Sequence, residues 1–295
     1  MTAASPDADR RDDLVGAAWM TAAMAGFAVE DALLKAAAAT LPVAQVMLLF
    51  GLFGGAAFLV VLIRRGLPPA PPEVASRPML LRFGAELAGR LFYTLALALI
   101  PLSTVTAILQ ATPLVVVAGA AWLFRERVGP RRWAAIGAGL VGVLLILRPG
   151  GESFSAATLI AVAGMLGFAG RDLASRAAPR SLHWAHLGFW GFATIMAAGA
   201  VYGLAWERAA PVLPPLADLA RIGGAAAAGV FAYAALMTAM RTGAVAAVTP
   251  FRYTRLLFGI GLGALLFAER PDPLMLLGCA VVVASGLLAL SPRRR

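Results

Sequence analysis

"GFAVEDALLKAAA" (Gly26–Ala38) returns later in the chain as "GFAGRDLASRAA" (Gly167–Ala178), at an offset of 141 residues that lays Asp31 on Asp172. Working outward, "YTLALALIPLSTVTAI" from Tyr93 corresponds to "YAALMTAMRTGAVAAV" from Tyr233 at an offset of 140. "LFRERVGP" (Leu123–Pro130) corresponds to "LFAERPDP" (Leu266–Pro273) at an offset of 143, laying Glu126 on Glu269. Three matches in nearly one register mean a duplicated unit. Composition says what the unit is made of: 61% of the 295 residues are hydrophobic, against about 45–50% in soluble domains, and the mean hydropathy is +0.83. In water such a chain would expose patches that aggregate; lipid accommodates them.

A bilayer span needs about 20 apolar residues. Spans are expected near Leu14–Ala37, Pro42–Ile63, Met79–Ile100, Ser103–Phe124 and Trp133–Leu147 in the first half. The second half offers Ala156–Ser175, Trp184–Trp206, Leu219–Met240, Ala244–Ala268 and Leu274–Leu290. The expected fold is therefore an all-α membrane protein of ten transmembrane helices. A polar tail (1–13) precedes five helices (14–150), five more (151–290) and a basic tail (291–295). Five is odd, so the second unit sits upside down relative to the first. Inverted repeats of this kind place a small-molecule site near the membrane midplane and let the halves rock around it.

The net charge of +10 invites a nucleic-acid reading, but the arginines punctuate the ends of apolar runs instead of forming one face. With the N-terminus in the cytoplasm, 16 basic residues fall on the cytoplasmic side, 5 outside and 4 within spans. That bias puts both termini inside. Arginine dominates over lysine, which occurs only as Lys35, and Ala and Gly abound; this composition suggests a bacterial inner membrane. The expected partners are the lipid bilayer and a small-molecule substrate, not nucleic acid. The paired glycines Gly51/Gly55 and Gly259/Gly263 suit close helix packing and can be used within one chain, so a monomer suffices.

No catalytic signature is present. Cys279 stands alone, which excludes an intrachain disulfide, and no metal-ligand spacing occurs. Neither a Walker-type phosphate loop nor His-Glu-x-x-His is found, and no cofactor is expected. The acidic start (Asp7, Asp9, Asp12, Asp13) reads as a solvated tail.

Charges inside spans cost at least about 2.5–3.5 kcal/mol each and mark pathways or pairs. Arg252 and Arg255 lie about 8 and 11 residues into their run, roughly 12 and 16 Å deep at the helical rise. Three apart, they share a face. Each can fork onto a substrate carboxylate or pair with a buried acid. Glu86 and Arg90, four apart, can pair with each other or meet a substrate. Glu30, Asp31 and Lys35 form an outward cluster, mirrored by Arg171 and Asp172 near the opposite mouth; these read as gates or structural locks. Gln110 and Pro113 in one span, and Pro250 in another, mark kinks that free carbonyls. Tyr93 and Tyr233, repeat equivalents, and Tyr253 can line a cavity or simply pack.

The "FRERV"/"FAERP" ends and the stretch "AVAAVTPFRYTRLLFGIGLGALLFAERP" (244–271) resemble the drug/metabolite transporter superfamily, in its ten-span branch with two EamA-type repeats. In size and layout the chain is similar to bacterial exporters of aromatic amino acids. The resemblance implies a basket of helices with the third, fourth, eighth and ninth spans around a central cavity. It implies export or facilitated passage of small metabolites by alternating access, amino acids first. Drugs, nucleosides, a vitamin such as riboflavin, or S-adenosylmethionine are alternative cargoes, and a membrane enzyme or scaffold is the alternative class. Substrate-binding candidates are Glu86, Arg90, Tyr93, Gln110, Tyr233, Arg252, Tyr253 and Arg255. Two basic side chains make the ninth span unusually cationic for a cavity wall.

Overall fold

A computed structural model of the chain describes residues 6–123, 125, 129–147, 155–177, 179, 181–242 and 245–290. Among the described residues the structure is helical throughout, with no strand. The long elements of the first half are α1 (Pro6–Ala38), α2 (Val43–Arg64) and α3 (Arg77–Leu99), followed by α4 (Leu102–Leu109), α5 (Thr112–Leu123) and α6 (Pro130–Leu147). The second half runs α7 (Ala156–Arg176), α8 (Trp184–Tyr202), α9 (Leu216–Thr242), α10 (Val245–Val248), α11 (Thr254–Phe267) and α12 (Pro273–Leu290).

Six helical stretches among the described residues are long and apolar enough to cross a membrane: Arg11–Ala38, Val43–Arg64, Leu102–Leu123, Ala157–Ser175, Trp184–Glu207 and Leu216–Thr242. This is a multi-pass membrane protein. The other four expected spans depart from the simple pattern for visible reasons. Helix α3 carries Arg82, Glu86 and Arg90 along its length. The run from Val245 to Phe267 is interrupted by a 3-10 turn at Thr249–Tyr253. The apolar parts of α6 and α12, Trp133–Leu147 and Pro273–Leu288, are short.

The helices pack chiefly between halves: α1 along α9, α3 along α7, α2 along α8, and α6 along α12, while α11 lies against α1 and α4. Glycine makes two of these approaches possible. A Cβ on Gly167 of α7 would sit 2.5 Å from the Cα of Gly89 in α3, and one on Gly142 of α6 would sit 2.9 Å from the carbonyl of Gly278 in α12. In lipid, where apolar attraction between helices is absent, such close backbone contact holds a bundle together.

Two helix N-termini borrow their caps from the opposite half. Helices α2 and α4 begin after Pro42 and Pro101, and neither has a local side-chain cap. Glu207 accepts from the amides of Val43 and Ala44, each at 2.8 Å. Glu269 accepts from the amides of Leu102 (2.6 Å) and Ser103 (2.9 Å) and from the Ser103 hydroxyl (2.7 Å). A carboxylate there satisfies orphan donors and complements the helix dipole. Glu126, the repeat partner of Glu269, lies outside the described residues.

Candidate functional site

Helix α3 presents Arg82, Glu86, Arg90 and Tyr93 at steps of four, four and three residues. This is the periodicity of one helical face, and two charge centres form along it. At the first, Asp31 of α1 is fully buried. Its Oδ2 accepts from the Tyr93 hydroxyl (2.8 Å) and from Nη2 of Arg255 in α11 (2.6 Å), which also reaches the Tyr93 oxygen at 3.2 Å. Next to it, Glu30 Oε1 accepts from Arg90 Nη1 at 3.1 Å. The four charges sum to zero. Their hydrogen bonds are incomplete: Asp31 Oδ1, Glu30 Oε2, Arg90 Nε and Arg255 Nε are buried with no hydrogen-bond partner among the described residues.

The second centre joins α3 to α7. Glu86 Oε2 meets Arg82 Nη2 at 3.2 Å and its Oε1 meets Arg171 Nη1 at 3.6 Å. Arg171 is held mainly by its own neighbour, Asp172, through bonds of 2.8 and 3.0 Å. Arg82 Nε donates to the Ser175 hydroxyl at 3.0 Å. Aromatic faces serve both centres. Arg255 lies over Phe27 at 5.2 Å, while Arg90 and Arg171 lie over Phe168 at 5.5 and 4.9 Å. Phe27 and Phe168 are repeat equivalents, and an arginine over a ring face is attracted by its quadrupole.

Several sequence expectations are corrected here. Glu86 and Arg90 do not pair with each other: Glu86 takes Arg82 and Arg171, and Arg90 takes Glu30. Both i,i+4 neighbours of Glu86 are arginines, so sequence spacing alone could not choose between them. Arg82, one of the 16 basic residues assigned to the cytoplasmic side from the sequence, is buried in the second centre. Arg252 and Arg255 do not sit on one regular helix, because the backbone changes from 3-10 to α between them. Arg255 turns to Asp31, and Arg252 acts electrostatically on Asp172. Tyr253 packs its hydroxyl end against Gly286 of α12, away from the first centre. Lys35 donates to the Leu97 and Ile100 carbonyls at the end of α3, at 2.9 and 2.6 Å, instead of joining Glu30 and Asp31. Tyr233 packs edge-on against Phe58 and lies within electrostatic reach of Arg82, Glu86 and Arg171.

The broken segments meet. The helix through α4 and α5 is interrupted at Gln110–Ala111, just before Pro113, whose missing amide breaks the ladder. The run through α10 and α11 is interrupted at Thr249–Tyr253, which includes Pro250. Thr112 and Thr254 each donate to the carbonyl three residues back, both at 2.6 Å. Gln110 Nε2 then donates to the Arg252 carbonyl at 3.2 Å, joining one break to the other. This bond could not be read from sequence; the prolines near the two breaks marked the interruptions, not the link between them.

Two cavities lie away from the charge centres. One of about 540 Å³ opens between α1 and α11, lined by Ala18, Ala22, Phe251 and Phe258 among others. The other, about 320 Å³, lies at the α4 N-terminus beside Glu269, Arg270 and Asp272. No group of acidic, histidine and cysteine side chains suited to holding a metal occurs among the described residues.

Residues 14–148 match the EamA-like transporter family. The pseudopaline exporter CntI of Pseudomonas aeruginosa is 28% identical over 96% of this chain and 99% of its own length. A riboflavin transporter of Rhizobium johnstonii is 26% identical over 68% of this chain, a match spanning 65% of that relative's length. An S-adenosylmethionine uptake transporter of Rickettsia bellii is 24% identical over 70% of each chain. A protein of known crystal structure, 22% identical, superposes with a TM-score of 0.61 over 95% of this chain and 96% of its own; that likeness concerns the fold.

Proposed function

We propose that the chain, whose residues 14–148 match the EamA-like transporter family, is a member of the drug/metabolite transporter superfamily and a secondary carrier of small metabolites working by alternating access. In this reading ten helices cross a bacterial inner membrane as two inverted five-helix units, with both termini cytoplasmic. The packing supports it: exchanging the halves turns the α1–α9 contact into α7–α3 and returns α2–α8 and α6–α12 to themselves. A two-fold axis in the membrane plane produces that pattern.

The observation that carries the reading is Arg255. It follows directly on a helix break, it is contributed by the second half, and it is held by Asp31 and Tyr93 from the first. A cation placed there at a break in the helix is where a carrier would bind an anionic group of its cargo. Arg90, Tyr93, Glu86 and Tyr233 would complete the walls, with Gln110 and Arg252 at the joined breaks and Tyr253 in a packing role. Glu30, Asp31, Arg171 and Asp172 would serve as gating or structural charges. Amino acids, aromatic and neutral ones above all, are the first cargo. The relatives named for riboflavin and S-adenosylmethionine support a second reading in which the same path carries one of those compounds.

The test is counterflow in proteoliposomes, with unlabelled amino acid, riboflavin or S-adenosylmethionine preloaded and the labelled counterpart outside. Saturable entry of the label driven by internal amino acid is the expected outcome. Counterflow only with riboflavin or S-adenosylmethionine would move the reading to the second cargo. No counterflow with any of them would remove the basis for carrier action.

A further inference from the structure

The geometry points to a zwitterion, a small molecule bearing both a carboxylate and an ammonium, as the cargo that opens the Asp31–Arg255 pair by inserting between its partners; this rests on the carrier reading above. The pair joins α1 of the first half to α11 of the second through a 2.6 Å contact, with the Asp31 side chain 1% exposed and that of Arg255 15% exposed. A pair bridging the halves must part when they move against each other. The Arg171–Asp172 pair joins neighbours on one helix and need not part at all.

Parting has a strict charge requirement. Glu30 and Asp31 balance Arg90 and Arg255, so the centre is neutral. A simple anion that took Arg255 would strand Asp31 as a buried, unpaired charge; a simple cation that took Asp31 would strand Arg255. Stranding one member of a buried pair is the costly event, not exchanging the pair. A zwitterion gives each member a new partner at the same moment and leaves the centre neutral before and after. The unpartnered atoms provide the first footholds. Asp31 Oδ1 can accept from an arriving ammonium and Arg255 Nε can donate to an arriving carboxylate while the existing bond still holds. Phe27, 5.2 Å from the Arg255 guanidinium, and the Tyr93 ring, 6.0 Å from it, offer apolar and π faces to the cargo's carbon skeleton. Asp31, not Glu86, is then the ammonium ligand.

The experiment uses the full chain in proteoliposomes with labelled phenylalanine in counterflow. Unlabelled phenylalanine, 3-phenylpropanoate and phenethylamine compete from outside, so that the skeleton stays constant and one charge is removed at a time. Each single-charge compound is expected to inhibit at least about tenfold more weakly than phenylalanine, a 1.4 kcal/mol difference. Equal inhibition by either would overturn the inference and leave the carrier reading standing. Asp31→Asn and Arg255→Gln alone each strand a charge and can fail to fold. The double variant is neutral, and it is expected to fold and to lose phenylalanine counterflow. Counterflow by the double variant at the native rate would also overturn the inference. Absence of amino-acid counterflow in the unaltered protein would instead refute the amino-acid reading, and this inference with it.

Discussion

Asp31 and Asp172 occupy the same position of a repeated motif, yet the first is sealed and held from afar while the second is half-open and held by its neighbour. Asp31 is fully buried and draws its partners from α3 and α11, residues 62 and 224 positions away. The Asp172 side chain is 26% exposed and bonds to Arg171, the adjacent residue. One substitution within the motif accounts for much of the contrast: where the first copy has Glu30, the second has Arg171, so the second carries its counter-ion within itself. The first copy brings two acids and must recruit Arg90 and Arg255 from other helices. Asp31 thus ties three helices together, while Asp172 is satisfied within its own helix.

The comparison is broken most directly by removing each acid in turn. Asp31→Asn leaves Arg255 buried without its counter-ion and is expected to lose about 3–5 kcal/mol, seen as a large fall in thermal unfolding temperature in detergent. Asp172→Asn leaves Arg171 in contact with Glu86 at 3.6 Å and partly in solvent, and should lose only about 1 kcal/mol. Equal losses would mean that the two centres are equivalent after all. The smallest effect concerns the rim. His183, which accepts from the Ala185 amide at 3.2 Å at the start of α8, is held below its ordinary pKa by partial burial, then by the charge of Arg65. Its neutral form is favoured in the fold, so its contribution is constant above the ordinary histidine value of about 6.5 and stability declines as pH falls below that value toward the lowered one. His183→Gln should flatten this shallow decline between about pH 5 and 7. A decline that persists in the variant would assign the titration to other groups, the charge centres among them.

The sequence was legible where information is local. The long apolar runs and the prolines near both breaks lie in contiguous stretches. Partner choice was not local. Glu86 stands four residues from an arginine on either side, and the selection of Arg82 and Arg171 over Arg90 depends on how α3 lies against α7 and α1. Arg82 looked like an interfacial anchor because it falls near the beginning of its apolar run; only the packing of α7 shows it to be inside. Glu269 was visible as a repeated residue, but its hold on the α4 N-terminus joins positions far apart in the chain. Phe27 and Phe168 were visible in the matched stretches as ordinary apolar residues, and acquire a role only from the arginines above them.

The bond between Gln110 and residue 252 has a consequence for which changes this chain can tolerate. Its donor is a side chain and its acceptor a main-chain carbonyl. Position 252 can therefore be occupied by many residue types, so long as the 3-10 turn survives, without losing the link between the two breaks. Position 110 has no such freedom, since the donor vanishes with the glutamine. One position is open to drift, while its partner must keep a side-chain donor.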